Sequence, residues 1–393
     1  MEPKIRFKGF EEEWKAPLFS EMVERISASG QAGMLPGVEF EDIASGEGCF
    51  NKNIYQKECH KYGKLFYEGD ILFGKLRPYL KNIILADFNG VAIGDFWVLR
   101  SKGLDEKYLY TLVNSESFLK VANISSGSKM PRADWNLVST TKFVVPSAKD
   151  EQKAIGKYFT SLDSQISAAT SRLASLKQMK AASLQAMFPQ EGETVPKIRF
   201  KGFEGEWTWL KLGDISEQVK RKAPINSTAP VMMISALNGF INQSEKYSDN
   251  NAGSSLANYT LLKKGELSYN HGYSKTRNFG SCFNLLVEEA RIPFVYHSFR
   301  LTNDNDSFYA YYLNSGTKDK DLKRLVSSTA RMDGLLNISF KNYMELSVPH
   351  PSLAEQQAIA NYFTSLDRQI SLQSQRLEKL KQIKSACLDK MFV

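Results

Sequence analysis

Apolar positions recur at alternating spacings of four and three in two long stretches of the chain. Ile155, Phe159, Leu162, Ile166, Ala169, Leu173 and Leu176 keep this spacing in the first. Ile359, Phe363, Leu366, Ile370, Gln373, Leu377 and Leu380 keep it in the second, with a glutamine at one seam position. The pattern predicts two helices with coiled-coil seams, over 151–188 and 351–393. Ser352 and Glu355, after Pro351, form a candidate capping box for the second. At 1.5 Å per residue, roughly 36 helical residues make a rod of about 54 Å. Two such seams in one chain pair most simply with each other. Leu184, Met187, Phe188, Leu388, Met391 and Phe392, near the helix ends, are candidates for docking a partner subunit.

The remaining sequence reads as mixed α and β. In the first half, LFYEGDILFGK, NIILADF and FWVLRS predict short strands, and 104–123 predicts one helix with Tyr108, Leu109, Leu112 and Val113 on one face. KFVVPSAK then returns as a strand. The second half has counterparts in KKGELSYNHGYS, IPFVYHSFRLTN, a helical stretch near 307–326, and YMELSVPHPS. Each half enters its long helix from a Val-Pro step, Val145-Pro146 and Val348-Pro349, which favours extended backbone before the helix.

These parallels reflect a tandem repeat. PKIRFKGFEEEW at 3–14 and PKIRFKGFEGEW at 196–207 share 11 of 12 residues, and 151–188 and 355–392 share 23 of 38. The expected organisation is a recognition region over 1–150, a helix over 151–188, a linker over 189–195, a second region over 196–350 and a second helix over 351–393. The expected architecture is two α/β domains joined by two long antiparallel coiled-coil helices, related by a pseudo-twofold.

Composition narrows the picture modestly. The 393 residues are 42% hydrophobic and 24% charged, as in globular chains. No apolar run reaches a membrane span, the N-terminus lacks the apolar core of a secretory signal, and four cysteines are scattered, so a cytoplasmic location is expected. The net charge is +8; residues 1–150 carry 20 basic and 20 acidic side chains and residues 196–350 carry 20 and 15. This suits a polyanionic partner without requiring one.

Catalytic signatures do not hold up. Gly69 to Lys75 matches most of a P-loop, but Leu76 replaces the Mg²⁺-binding Ser/Thr and Arg77-Pro78 follows at once. Asp150, Glu151 and Lys153 hint at a nuclease motif, yet acidic residues suit a helix N-terminus and the second copy has Gln357 for the lysine. His60, His271, His297 and His350 lack zinc-site spacing, and there is no G-x-S-x-G or adenine-methyltransferase Asp/Asn-Pro-Pro-Tyr/Phe signature. A chain without catalytic residues or metal ligands is expected.

Two unlike regions on similar rods suit two unlike targets a fixed distance apart, as on DNA. Candidate DNA-contacting residues lie in polar loops at matching places: Lys75, Arg77, Tyr79, Ser128, Lys129 and Arg132 in the first half, and Asn270, His271, Tyr273, Lys275, Arg277 and Arg331 in the second. Arg and Lys can reach guanine, Asn can reach adenine, and Ser can hold phosphate. Each of these residues also fits a solvated loop. Lys220, Arg221 and Lys222 fit a phosphate-facing or solvated turn better than a base reader.

The repeated P-K-I-R-F-x-G-F-x-x-x-W entry, the Val-Pro step, the Glu-Gln-x-x-Ile helix start and the F-x-S-L-D-x-Q-I run resemble a type I restriction–modification specificity subunit. The resemblance implies that each variable region is a target recognition domain reading one half of a bipartite DNA sequence, with the helices as a ruler. It further implies two methyltransferase subunits and motor–nuclease restriction subunits as partners. S-adenosylmethionine, ATP and Mg²⁺ would then sit on those partners and not on this chain. The alternatives are a coiled-coil scaffold that binds no nucleic acid and an enzyme with an unrecognised site.

Overall fold

The computed structural model describes residues 3–33, 35–124, 130–224, 226–245, 256, 258–326 and 336–392. Contacts divide the chain into two compact units: Met1–Leu173 with Gln373–Val393, and Ala174–Leu372. Both long helices form, over Lys149–Ala186 and Leu353–Met391. Each unit therefore holds a globular part and a portion of each long helix.

In the first unit an antiparallel sheet runs in the order Val23–Ile26, Phe96–Ser101, Ile71–Gly74, Ile83–Leu85. Beside it lies a second sheet of Ser29–Gln31, Tyr62–Phe66, Gly90–Ala92 and Gly37–Val38. The second unit repeats the first order with Ser216–Gln218, His297–Leu301, Leu267–Asn270 and Ser281–Asn284. The Val-Pro steps pair with strands at the ends of the entry motifs: Val145–Pro146 with Trp14–Lys15, and Ser347–His350 with Thr208–Lys211.

The single helix expected over 104–123 is two, Glu106–Val113 and Glu116–Ala122. Ser115 breaks it, because its hydroxyl caps the second helix by accepting from the Phe118 amide. The stretch near 307–326 is likewise two helices, Asp306–Leu313 and Asp319–Leu325.

The long helices pair antiparallel within each unit. In the first, Lys384 binds Asp163 at 2.6 Å and the Gln373 amide donates to the Ala169 carbonyl at 3.1 Å. In the second, Lys180 binds Asp367 at 2.5 Å and Ser183 meets the Tyr362 hydroxyl at 2.9 Å. Seam residues Ile155, Phe159, Leu162, Ile359, Phe363 and Leu366 are buried. Gly156 lets the first helix approach Glu106–Val113, since a Cβ there would lie 2.7 Å from the Tyr108 nitrogen.

The candidate docking residues are core residues. Leu388, Met391 and Phe392 are buried in the first unit with Tyr108 and Phe159, and Phe392 stacks on Tyr108 at 5.7 Å. Met187 and Phe188 are buried in the second, and Leu184 packs against that core. Their apolar surface is used inside their own unit, so the docking role expected of these six side chains is corrected.

Candidate nucleic-acid interface

In the first unit the strand Ile71–Gly74 is wholly buried and delivers the chain to Lys75. Gly74 is required there: a Cβ would lie 2.9 Å from the Asn82 carbonyl oxygen and 3.0 Å from the Phe40 ring. The P-loop-like run is thus a turn and a sheet strand, with Ile71 to Phe73 in register with Ile83 to Leu85. Backbone bonds then tie this strand's exit to the segment that follows residues 125–129. The Ala133 amide donates to the Lys75 carbonyl at 2.8 Å, and the Arg77 amide donates to that of Pro131 at 2.7 Å. Lys75, Arg77, Tyr79 and Arg132 are thereby brought together. Ser128 and Lys129 lie outside the described residues, as does Arg331.

The second unit makes the same junction. Leu267–Asn270 leads to His271, whose carbonyl accepts from the Leu336 amide at 2.8 Å. Leu336 follows residues 327–335 as Ala133 follows 125–132. In both units the strand exit is therefore bonded to described residues that follow the second polar stretch, at equivalent places.

The side chains at the two junctions differ. Asp95 accepts from both Lys75, at 3.2 Å, and Arg132, at 3.1 Å. Burial pushes the Asp95 carboxyl up, but the two cations outweigh it and hold it below the usual range. Arg77 and Tyr79 are exposed, and no partner for the Arg77 guanidinium lies among the described residues.

In the second unit, Tyr273 and Lys275 are exposed, while Asn270 turns inward and donates to the Ile234 carbonyl at 3.3 Å. His271 is buried. Its Nδ1 lies 2.6 Å from the Leu336 oxygen and its Nε2 2.9 Å from the Val295 oxygen. It stacks on His297 at 4.8 Å, and His297 reaches the Ile338 oxygen at 2.8 Å. Arg277 is tied to the Asn314 carbonyl, and burial pulls its pKa down. His271 and Arg277 hold the loop from within, so direct base contact by these two is corrected. Arg221 is also internal: its guanidinium grips Glu266 at 3.0 and 3.2 Å and donates to the Leu261 carbonyl.

Each entry motif is fastened to its long helix through a constellation whose partners the sequence reading did not connect. Arg6 donates to both carboxylate oxygens of Glu151 at 2.7 and 2.8 Å, and the Trp14 indole donates to the same group at 3.3 Å. Arg199 and Trp207 repeat this on Glu355. The next residue completes it. Gln152 accepts from the Asp105 amide, at the start of the helix Glu106–Val113, and Gln356 accepts from that of Asn305. Glu151 thus has structural partners in Arg6 and Trp14. Ser352 does cap its helix, at 3.3 Å from the Glu355 nitrogen, but the carboxylate of Glu355 goes to Arg199, so the reciprocal half of the expected capping box is missing. Arg, Trp and Glu recurring in both copies were the available signal.

Residues 204–382 match the family described as type I restriction modification DNA specificity domain. The matched residues all lie in the second half of the chain. The first half carries the same entry motif and long-helix sequence. A 120-residue stretch is 25% identical to the type I restriction enzyme EcoDI specificity subunit of Escherichia coli, covering 29% of this chain and 27% of that protein. The solved type I restriction-modification S subunit from M. genitalium aligns over 100% of this chain and 99% of its own, at 15% identity and a TM-score of 0.63. The two chains share a fold. Among the described residues no helix is long and apolar enough to cross a membrane, no group of three His, Cys, Asp or Glu is placed to hold a metal, and the four cysteines are free.

Proposed function

We propose that this chain is the DNA-recognition subunit of a type I restriction–modification complex, each unit reading one half of a bipartite sequence. The observation that carries the reading is the repeated junction: in both units of a specificity-family chain, the same strand exit is bonded to the same returning loop, with different side chains presented. Conserved backbone with changed side chains is what two unlike half-sites need. The chain contributes recognition and positioning. Adenine methylation belongs to methyltransferase subunits that bind S-adenosylmethionine, and cleavage to restriction subunits using ATP and Mg²⁺. Docking of two methyltransferase subunits falls to the exposed polar faces of the long helices, since the apolar helix ends are buried. A scaffold without nucleic acid would leave the matched loops without a purpose.

The test is a genome-wide map of adenine methylation in cells with and without the gene. Loss of one bipartite motif on deletion is expected. An unchanged map, together with purified complex that binds DNA without sequence preference, overturns the proposal.

A further inference from the structure

Beyond the junction described, the first unit carries a turn with no counterpart among the described residues. Arg77 and Lys81 adopt left-handed backbone, with φ of 50° and 53°, and they are the only non-glycine residues among those described to do so. L-residues avoid this region, so it persists only where the surroundings enforce it. They bracket one tight turn, Pro78–Leu80. Pro78 is buried as its foot, while Tyr79 is 55% and Leu80 37% exposed at its tip. The turn is clamped on both sides: Arg77 donates to the Pro131 carbonyl, and the Lys81 carbonyl accepts from Gly46 at 3.2 Å. Lys81 faces Glu116 at 3.8 Å, and Arg77 has no ionic partner among the described residues.

A rigid tip with an aromatic and a branched apolar side chain, set between cations, is complementary to one surface in particular. Cations match flanking phosphates, and apolar side chains held rigidly between them can enter a base step and part the stack. We infer that Tyr79 and Leu80 form a stacking wedge that opens one base step in the half-site bound by the first unit. This inference rests on the DNA reading above and adds a mode of contact to it. Tyr79 then reads how easily a step unstacks, not a base edge, and pyrimidine–purine steps yield most readily. The second unit has no equivalent turn among the described residues: Tyr273 is exposed beside Ser274 and Arg277, which bond to each other's backbone at 3.1 and 3.2 Å, and the loop is held by Arg277 on the Asn314 carbonyl with no left-handed non-glycine residue.

The experiment uses the full chain, in complex with its methyltransferase subunits, on a duplex carrying the motif found by methylation mapping. Each position of the first half-site carries 2-aminopurine or pyrrolo-cytosine in turn. The wild-type complex is expected to brighten one probe several-fold at a position other than the adenine that the methyltransferase extrudes, which is left out of the comparison. Tyr79→Ala should abolish that brightening and weaken binding by about ten-fold or more, the size of one lost stacking contact. Tyr79→Phe should preserve both, and Tyr273→Ala should leave the brightening unchanged. Absence of brightening in the wild type, or brightening that survives Tyr79→Ala, overturns the wedge while DNA binding stands. So does a Tyr79→Ala chain that fails to assemble with the methyltransferase, since the tip would then belong to a protein contact. A wild-type complex that binds no duplex selectively overturns the DNA reading and the wedge with it.

Discussion

Arg199 and Glu355 face each other fork to fork, with Nε to Oε1 at 2.6 Å and Nη2 to Oε2 at 2.7 Å, and the Glu355 side chain is 2% exposed. The pair fastens the entry motif to the start of the second long helix, and Arg6 with Glu151 does so in the first unit. Removing one member strands a buried charge, which costs about 3–5 kcal/mol. Glu355→Ala should therefore destabilise the second unit by about that amount and leave the first unit unchanged. Chemical denaturation followed by tryptophan fluorescence, with Glu151→Ala as the mirror experiment, measures this. A loss below 1 kcal/mol would mean that the pair is not what holds the motif.

Phe392 lies between Tyr108 and Phe159 in the core of the first unit. Truncating a buried phenylalanine costs about 3–5 kcal/mol. Phe392→Ala should loosen the first unit, and Phe188→Ala, whose ring stacks on Phe363 at 5.9 Å, should loosen the second. Hydrogen exchange resolved by unit is the readout. Equal protection of all segments in both variants would contradict the assignment.

Alanine at Lys75 and Arg77 should damage recognition of one half-site only, and alanine at Lys275 should affect the other. For each phosphate contact removed, the salt dependence of binding should fall by about one unit of slope. Competition binding on duplexes altered in one half at a time tests this. Equal losses at both halves would show that these residues do not belong to separate readers.

Burial pulls the His297 imidazole below its usual range, the Ile338 carbonyl raises it less, and His271 lowers it further. Because its folded pKa is depressed, the stability it supports is present above the unfolded value of about 6.5 and is lost as pH falls through the folded one. The groups around it are His271, Tyr269, Tyr343 and Phe340. The second unit should weaken on acidification below about pH 6.5, and His297→Phe should flatten that dependence. Thermal melts between pH 7.5 and 5 decide it; an unaltered slope in the variant would refute the role.

The long helices were legible because a seam of Ile, Phe and Leu at spacings of four and three has one structural meaning. The strand order was not, since runs such as NIILADF specify a strand but not its neighbour. Ser115 carried a capping signal that the apolar face over 104–123 masked. Met187, Phe188, Met391 and Phe392 were misread because apolar side chains at helix ends fit a docking surface as well as a core. Only contacts with Phe363 and Tyr108 separate the two. His271 sat in a polar run that suggested solvent, and two backbone carbonyls claim its ring. The matched placement of the polar loops was legible from order alone, because the repeat preserves it.

The first unit is assembled from two separated pieces of chain, while the second is continuous over 174–372. During synthesis the residues that close the first core, Leu388, Met391 and Phe392, leave the ribosome only after the entire second unit has been made. The usual order of amino-terminal folding first is thereby inverted. Until those residues arrive, the faces of Tyr108 and Phe159 stay uncovered, and for that interval the nascent chain offers an apolar patch to chaperones and proteases.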